Sequence, residues 1–239
     1  MLGQNVNAFN FEGKKLSDLI LEIAKLNELK RIRYTTSHPI DFTDDLIETH
    51  KSCRKLMPLI HLPVQSGSNK ILKKMNRKHT IEEYMYLVER LKKTNSNIQL
   101  SSDFILGYPG ETEDDFQETL KLINKIKFIN TYSFIFSARP GTPSSNLKKI
   151  DDGLAKKRLT TFQNISKKIK TEYREKLLNK IVPVLFENMT NEKNIYFGRD
   201  ECFNSVIVES KEDLVGKIKN IEITKVNQNT LFGQISSRI

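Results

Sequence analysis

Five short stretches combine polar side chains with Gly and Pro. They are Gly3-Gln4-Asn5, Ser37-His38-Pro39, Gln65-Ser66-Gly67, Asp103 through Gly107-Tyr108-Pro109-Gly110, and Ser137-Ala138-Arg139-Pro140-Gly141-Thr142-Pro143. Each follows an apolar, strand-like run. Carboxamides, hydroxyls and glycines in such places hold a polar ligand and let it approach the main chain. Taken singly, each is an ordinary loop. Arg139 offers a guanidinium fork that suits a carboxylate or a phosphate, with a plain surface arginine as the other reading. Asp103 either faces the ligand or caps the following turn. His38, at a strand end, is left open, whereas His61 lies within a strand and reads as a packed, hydrogen-bonded core histidine. Behind Gln65-Ser66-Gly67 stand Lys70, Lys73, Lys74, Arg77 and Lys78. Cations so spaced suit phosphate contacts, which position a nucleic acid without reading its sequence. A merely solvated helix face is the competing reading.

The elements that position these residues follow from periodicity. Strand-like runs occupy 31–36, 58–64, 98–106 and 130–137, and the opening LGQNVNAF reads as the end of another. Helical segments with readable starts lie between them. Ser17 precedes Asp18 and an amphipathic run to Leu29, and Thr43 precedes Asp44-Asp45. Thr80 with Glu83, and Thr112 with Asp115, are capping boxes in which hydroxyl and carboxylate satisfy backbone N–H groups reciprocally. Strand–helix alternation at this spacing predicts parallel βαβ units, whose right-handed crossovers bring every strand C-terminus to one face. The five stretches then form one mouth. Tyr132, Phe134 and Phe136 alternate and read as core rather than base-stacking. A longer helix is expected over 153–180, with Phe162, Ile165, Ile169, Tyr173 and Leu177 on one face. From residue 181 the pattern changes to about five short strands with turn signals, a small antiparallel barrel of OB-like size. The expected domains are 1–180 and 181–239.

The 239 residues suffice for one medium domain and one small one, and the net charge of +10 makes an acidic polymer a plausible partner. A lysine-rich composition inherited from the genome is the bland alternative. The charge is uneven. Residues 1–180 hold 32 Lys and Arg against 21 Asp and Glu, whereas residues 181–239 hold 7 against 8, a net of −1. No run is long and apolar enough for a membrane span, no signal-peptide pattern occurs, and a cytoplasmic protein is expected. Cys53 and Cys202 form neither a disulfide framework nor a metal motif.

The stretches RIRYTTSHPIDFTDDLIE, HLPVQSGSNKILKKMNRKHT, SSDFILGYPGETEDDF and YSFIFSARPGTPSS, in this order, resemble the radical S-adenosylmethionine (SAM) tRNA methylthiotransferases. The branch that modifies N6-isopentenyladenosine at tRNA position 37, in the anticodon loop, is the closest in pattern. The resemblance covers nearly the whole chain and implies a partial parallel (βα) radical-SAM barrel followed by a TRAM barrel. It implies SAM and 4Fe–4S clusters as cofactors. A cluster cleaves SAM, and the 5′-deoxyadenosyl radical takes hydrogen from adenine C2 before methylthio transfer. It places Gln65, Ser66, Gly67, Asp103, Ile105 and Arg139 beside the cofactor. Lys70, Lys73, Lys74, Arg77 and Lys78, with Lys193, Arg199, Lys217 and Lys219 of the barrel, are the expected RNA contacts. The departure is the cysteines. The family's C-x3-C-x2-C loop and three further cysteines are absent, and two distant thiols do not replace them. The expectation is therefore the C-terminal part of such an enzyme: one half of a split enzyme with a companion chain, or an inactive tRNA-binding remnant. No catalytic or metal-binding residue is identifiable.

Overall fold

The computed structural model describes residues 1–138, 141 and 147–237. It divides into two compact units, Met1–Ser166 and Lys167–Ile239. In the first, a hairpin of β1 (Asn10–Phe11) and β2 (Lys14–Lys15) leads into α1 (Leu16–Ala24). Then follow α2 (Asp44–Ser52), β3 (Leu59–His61), α3 (Asn69–Lys74), α4 (Ile81–Thr94), β4 (Gln99–Leu106), α5 (Glu113–Ile126), β5 (Asn130–Ile135) and α6 (Asp152–Glu175), which runs on into the second unit.

The predicted parallel sheet is present as β3-β4-β5, with His61 opposite Ser101 and Asp103 opposite Tyr132. The two capping boxes form as expected. Thr80 N–H donates to Glu83 at 2.8 Å, and Thr112 N–H donates to Asp115 at 2.8 Å. Two expected strands are corrected. The 31–36 run makes only a parallel bridge between Ile32 and Leu56, and Val6–Ala8 form a 3-10 turn. The chain there is extended but ladders too briefly, with Thr35 N–H reaching Met1 O and Ser37 N–H reaching His61 O. Helix α1 also differs. Its first turn is closed by Lys15 N–H on Asp18, while the Ser17 hydroxyl donates to Asp45. It ends at Ala24 because the Lys55 ammonium takes the carbonyls of Ala24 and Leu26 at 2.7 and 2.8 Å.

The core of this unit lies between the sheet and its helices. Phe104 on β4 packs against Phe128 and against Phe162 of α6, ring centroids 5.6 and 4.6 Å apart, and all three are fully buried. Tyr132 and Phe134 do not join it. They are 55% and 59% exposed, which overturns their reading as core. The strand is turned the other way. Thr131 and Ser133 face α6 and bond to Ser166 and Gln163, so the aromatics fall on the opposite face.

The second unit is a closed barrel of β6 (Ile181–Met189), β7 (Ile195–Arg199), β8 (Ser205–Glu209), β9 (Ile218–Val226) and β10 (Thr230–Ile235). The strand order is β6-β7-β8-β10-β9, returning to β6. The expected antiparallel character holds for four of the five pairs, and the β8–β10 pair is parallel. Val184, Phe186, Tyr196, Val206, Val208, Ile221, Ile223 and Leu231 fill its interior, and Leu177 packs against them.

Candidate functional site

At the C-terminal ends of β3 and β4 a cavity of about 650 Å³ opens, lined by His38, Gln65, Lys74, Arg77, Ile105, Tyr108 and Phe136 among others. Gln65 is held by two ladder bonds. Its N–H donates to Asp103 O and its carbonyl accepts from Ile105 N–H, both at 2.9 Å. These bonds keep it at φ +76°, a left-handed conformation that non-glycine residues rarely adopt. Such an enforced backbone at a strand end re-aims one side chain, here into the cavity.

The cavity is cationic. Lys74 Nζ sits 3.5 and 3.4 Å from the carbonyls of Pro109 and Gly110, and Tyr108 OH donates to Lys74 O at 3.0 Å. Arg77 is half-buried. Burial lowers its pKa and the Asp103 carboxylate opposes this, and Arg77 itself lines the cavity. His38 is held below its ordinary pKa by burial first and then by Arg77 and Lys78, against Asp41. Behind it lies His79, 5.8 Å away ring to ring. His79 is buried with neither ring nitrogen hydrogen-bonded, and burial, Arg77 and His38 bring its pKa to about 4. Burial and the neighbouring cation Arg77 therefore favour the neutral form of both rings. Sequence reading missed His79; only its place after the basic run could have drawn notice.

Asp103 continues the inner face of the sheet. His61 Nδ1 and Ser101 Oγ are 3.0 Å apart, and His61 Nε2 is 3.4 Å from Asp103 Oδ1. The His61 ring also meets Tyr132 edge-on at 5.8 Å. His61 is hydrogen-bonded as its strand position suggested, but it is only partly buried and lies outside the core, which corrects its reading as a core histidine.

Other expected site residues lie elsewhere. Ser66 and Gly67 turn toward α5. Gly67 N–H donates to Thr119 Oγ1 at 2.9 Å, and a Cβ on Gly67 would stand 2.5 Å from Thr119 Cα. The close approach that this glycine permits is that of a helix. Lys70 bonds Asp115 at 2.9 Å in a second cavity of about 460 Å³ beside α3, α4 and α5. Lys73 and Lys78 are exposed. The basic block is therefore divided rather than displayed on one face. Arg139 lies outside the described residues.

On the barrel, Lys217 and Lys219 share Glu212, at 3.2 and 2.9 Å. Lys193 is exposed in the β6–β7 turn. Arg199 lies across β6 from the lysine pair, its guanidinium 4.1 Å from the Phe203 ring centroid and 5.1 Å from that of Phe197. Cys53 is buried in the first unit and Cys202 belongs to the second. Among the described residues no group of three or more His, Cys, Asp or Glu is placed to hold a metal ion. These residues do not fit a 4Fe–4S cluster, which is held by several cysteine thiolates, because Cys53 and Cys202 lie in different units.

Comparison with known proteins agrees with this architecture. Residues 6–123 match the radical SAM superfamily and residues 175–236 match the TRAM domain. The chain is 52% identical, over 99% of its length, to the tRNA-2-methylthio-N(6)-dimethylallyladenosine synthase of Pelagibacter ubique (strain HTCC1062). It is 45% identical, over 98% of its length, to the enzyme of that name from Wolbachia pipientis subsp. Culex pipiens (strain wPip). It covers 54% of each of these relatives, so it spans about half the length of the curated proteins it matches. Two solved structures share the fold. Coproporphyrinogen III oxidase from Escherichia coli, described as a radical SAM enzyme, aligns with TM-score 0.52 and 13% identity over 91% of this chain and 55% of its own. The Elp3 of Methanocaldococcus infernus aligns with TM-score 0.51 and 12% identity over 99% of this chain and 70% of its own. The chain thus joins a segment similar to the radical SAM superfamily to one similar to the TRAM domain, and along nearly its whole length it is similar to about half of the tRNA-2-methylthio-N(6)-dimethylallyladenosine synthases.

Proposed function

We propose that this chain is the SAM-holding and tRNA-holding portion of a methylthiotransferase acting at C2 of N6-isopentenyladenosine, position 37 of tRNA, in the cytoplasm. The observation that carries this is the cavity in which Gln65, Ile105, Lys74 and Arg77 converge at the strand ends. Its size and mixed lining suit SAM. Arg77 and Lys74 supply positive charge for the methionine carboxylate, Gln65 a carboxamide, and Ile105 an apolar wall. Asp103, beside Arg77, is the acceptor for a ribose hydroxyl or an amino group. When bound, SAM supplies the methyl group of the methylthio product. The chain's own residues bind and orient it, and His38 and His79, in their favoured neutral forms, add no competing charge. Arg77 is assigned to the cofactor here rather than to tRNA phosphate. Lys73 and Lys78 remain candidate phosphate contacts.

The cluster ligands would come from a companion chain or from a longer form of the same polypeptide. A second reading, a tRNA-binding remnant without chemistry, is favoured by the cysteine count alone. Equilibrium dialysis with SAM tests the first reading. Arg77→Ala is expected to weaken binding about tenfold or more, since a hydrogen bond to a charged group contributes roughly 1.5–3 kcal/mol. The chain reconstituted alone with iron and sulfide is expected to release no 5′-deoxyadenosine. Undiminished binding by Arg77→Ala, in a variant that melts normally, would remove the cavity from the argument.

A further inference from the structure

On the outer face of the barrel, Phe197 on β7 stands opposite Ile207 on β8. Ile207 stands opposite Phe232 on β10, and Phe232 stands opposite Lys225 on β9. Four adjacent strands thus carry one row of three apolar side chains ending in a cation. Lys225 Nζ lies 5.7 Å from the Phe232 ring centroid, and Arg199 covers Phe197 and Phe203 at the other end. None of these belongs to the barrel interior, which is filled by their alternating neighbours. Phe203 extends the row into the β7–β8 turn. It is 46% exposed and sits at φ +65°, a costly conformation for a bulky residue. The turn enforces it. Asn204 donates its N–H and its side-chain amide to Asp200, each at 2.8 Å, and Phe203 N–H donates to Asp200 O at 3.1 Å.

We infer that this row is a stacking platform for unpaired RNA bases, with Phe203 and Phe232 as the main stacking rings and Arg199 and Lys225 as phosphate contacts beside them. This rests on the tRNA-holding role proposed above and names the face and the chemistry. A core residue would not be displayed on an enforced left-handed turn. The barrel strands and turns, residues 181–239, carry a net charge of −1, so phosphate neutralisation by this stretch contributes little and its RNA affinity needs contacts that do not depend on net charge. Aromatic faces meet that need because every base has a π-face, and two flanking cations complement the backbone between stacked bases. Duplex RNA, whose bases are already stacked, has nothing to offer such a platform.

The test is fluorescence anisotropy of the full chain with a labelled single-stranded RNA 12-mer and with the same sequence as a duplex. Phe203→Ala and Phe232→Ala are each expected to weaken single-strand binding roughly 5- to 150-fold, with the salt slope unchanged. Phe203→Leu and Phe232→Leu keep the apolar volume without the π-face. They are expected to bind weakly while melting like the parent, which separates stacking from folding. Equal binding by the leucine variants overturns the platform and leaves the tRNA-holding role standing. Absence of any RNA binding by the parent overturns both. Equal losses on duplex overturn the stacking chemistry. Self-association that Phe203→Ala abolishes, with RNA binding intact, would assign the face to a second copy of the chain.

Discussion

Asp115 receives four donors on two oxygens: Ser68 Oγ on one, and Lys70 Nζ, Thr112 N–H and Thr112 Oγ1 on the other. Burial alone would raise its pKa. The Thr112 N–H, Lys70, Ser68 and Thr112 hydroxyl bonds outweigh burial and hold the carboxyl well below the ordinary aspartate value of 3.8. A carboxylate whose native pKa is depressed stabilises the fold fully above its unfolded value and progressively loses that contribution as pH falls below it. Asp115→Asn is therefore expected to lower stability at neutral pH by about 1.5–3 kcal/mol. Below about pH 4 the gap between variant and parent should narrow. Thermal melts between pH 3 and pH 7 check both points, and a gap independent of pH would mean that the charge is not what matters. Half of this residue's role was legible. The capping box spans three positions and is a local matter of hydroxyl and carboxylate. The bonds to Ser68 and Lys70 cross more than forty residues, and nothing in the local pattern announces them. The same holds for His79, whose position behind His38 is set by tertiary packing.

At the scale of elements, the β3–α3 connection is clamped to α5. A Cβ at residue 67 would meet Thr119 Cα at 2.5 Å, Glu118 O at 2.6 Å and Thr119 N at 2.7 Å, all backbone atoms of α5. Backbone cannot rotate aside as a side chain can, so Gly67→Ala should displace α3 from α5. The expected cost is about 1–3 kcal/mol or more, read as a lower urea midpoint. A midpoint equal to the parent's would show that the helices yield freely. Where periodicity was strong and partners were near in sequence, as in α4, α5, β4 and β5, the elements were readable from the chain. Two kinds of information were not. Residues 31–36 have strand propensity, but extended residues become a strand only when a partner runs alongside for several positions. The alternation of β5 was clear, but alternation does not say which face is inward, and α6 accepted the polar one through Ser166 and Gln163. The barrel strands were legible, but the parallel β8–β10 pairing was not, because closure is decided by topology.

For the whole molecule, the sequence changes character near residue 180, and a cut there was the expected domain limit. Several bonds within the second unit originate before that point. Arg174 donates to the carbonyls of Asn227 and Gln228, and Asn179 N–H donates to Ile223 O at 2.8 Å. We propose that the barrel keeps residues 167–180 for its stability. A 167–239 fragment is expected to melt cooperatively and several degrees above a 181–239 fragment, since losing 1 kcal/mol shifts a small domain by roughly 4–8 °C. Equal melting temperatures would place the limit at 180 after all. The mouth of the first unit was legible only in part: His38, Gln65 and Tyr108 line one cavity, whereas Gly3 and Asn5 line another, because the opening run forms a 3-10 turn and not a strand of the sheet. Which of its side chains point into the cavity was not legible.

The closing pair of the barrel has one more consequence. Because β10 bonds to β8 on one side and β9 on the other, the ring has no outermost strand. Fraying cannot begin at a border and work inward, as it can in β3-β4-β5, where β4 is flanked and its neighbours are less so. Detaching β10 strands two ladders at once, so partial opening costs nearly as much as complete opening. The aromatic row crosses that ring on three of its strands and inherits this all-or-none character. Its rings stay in register until the barrel as a whole comes apart.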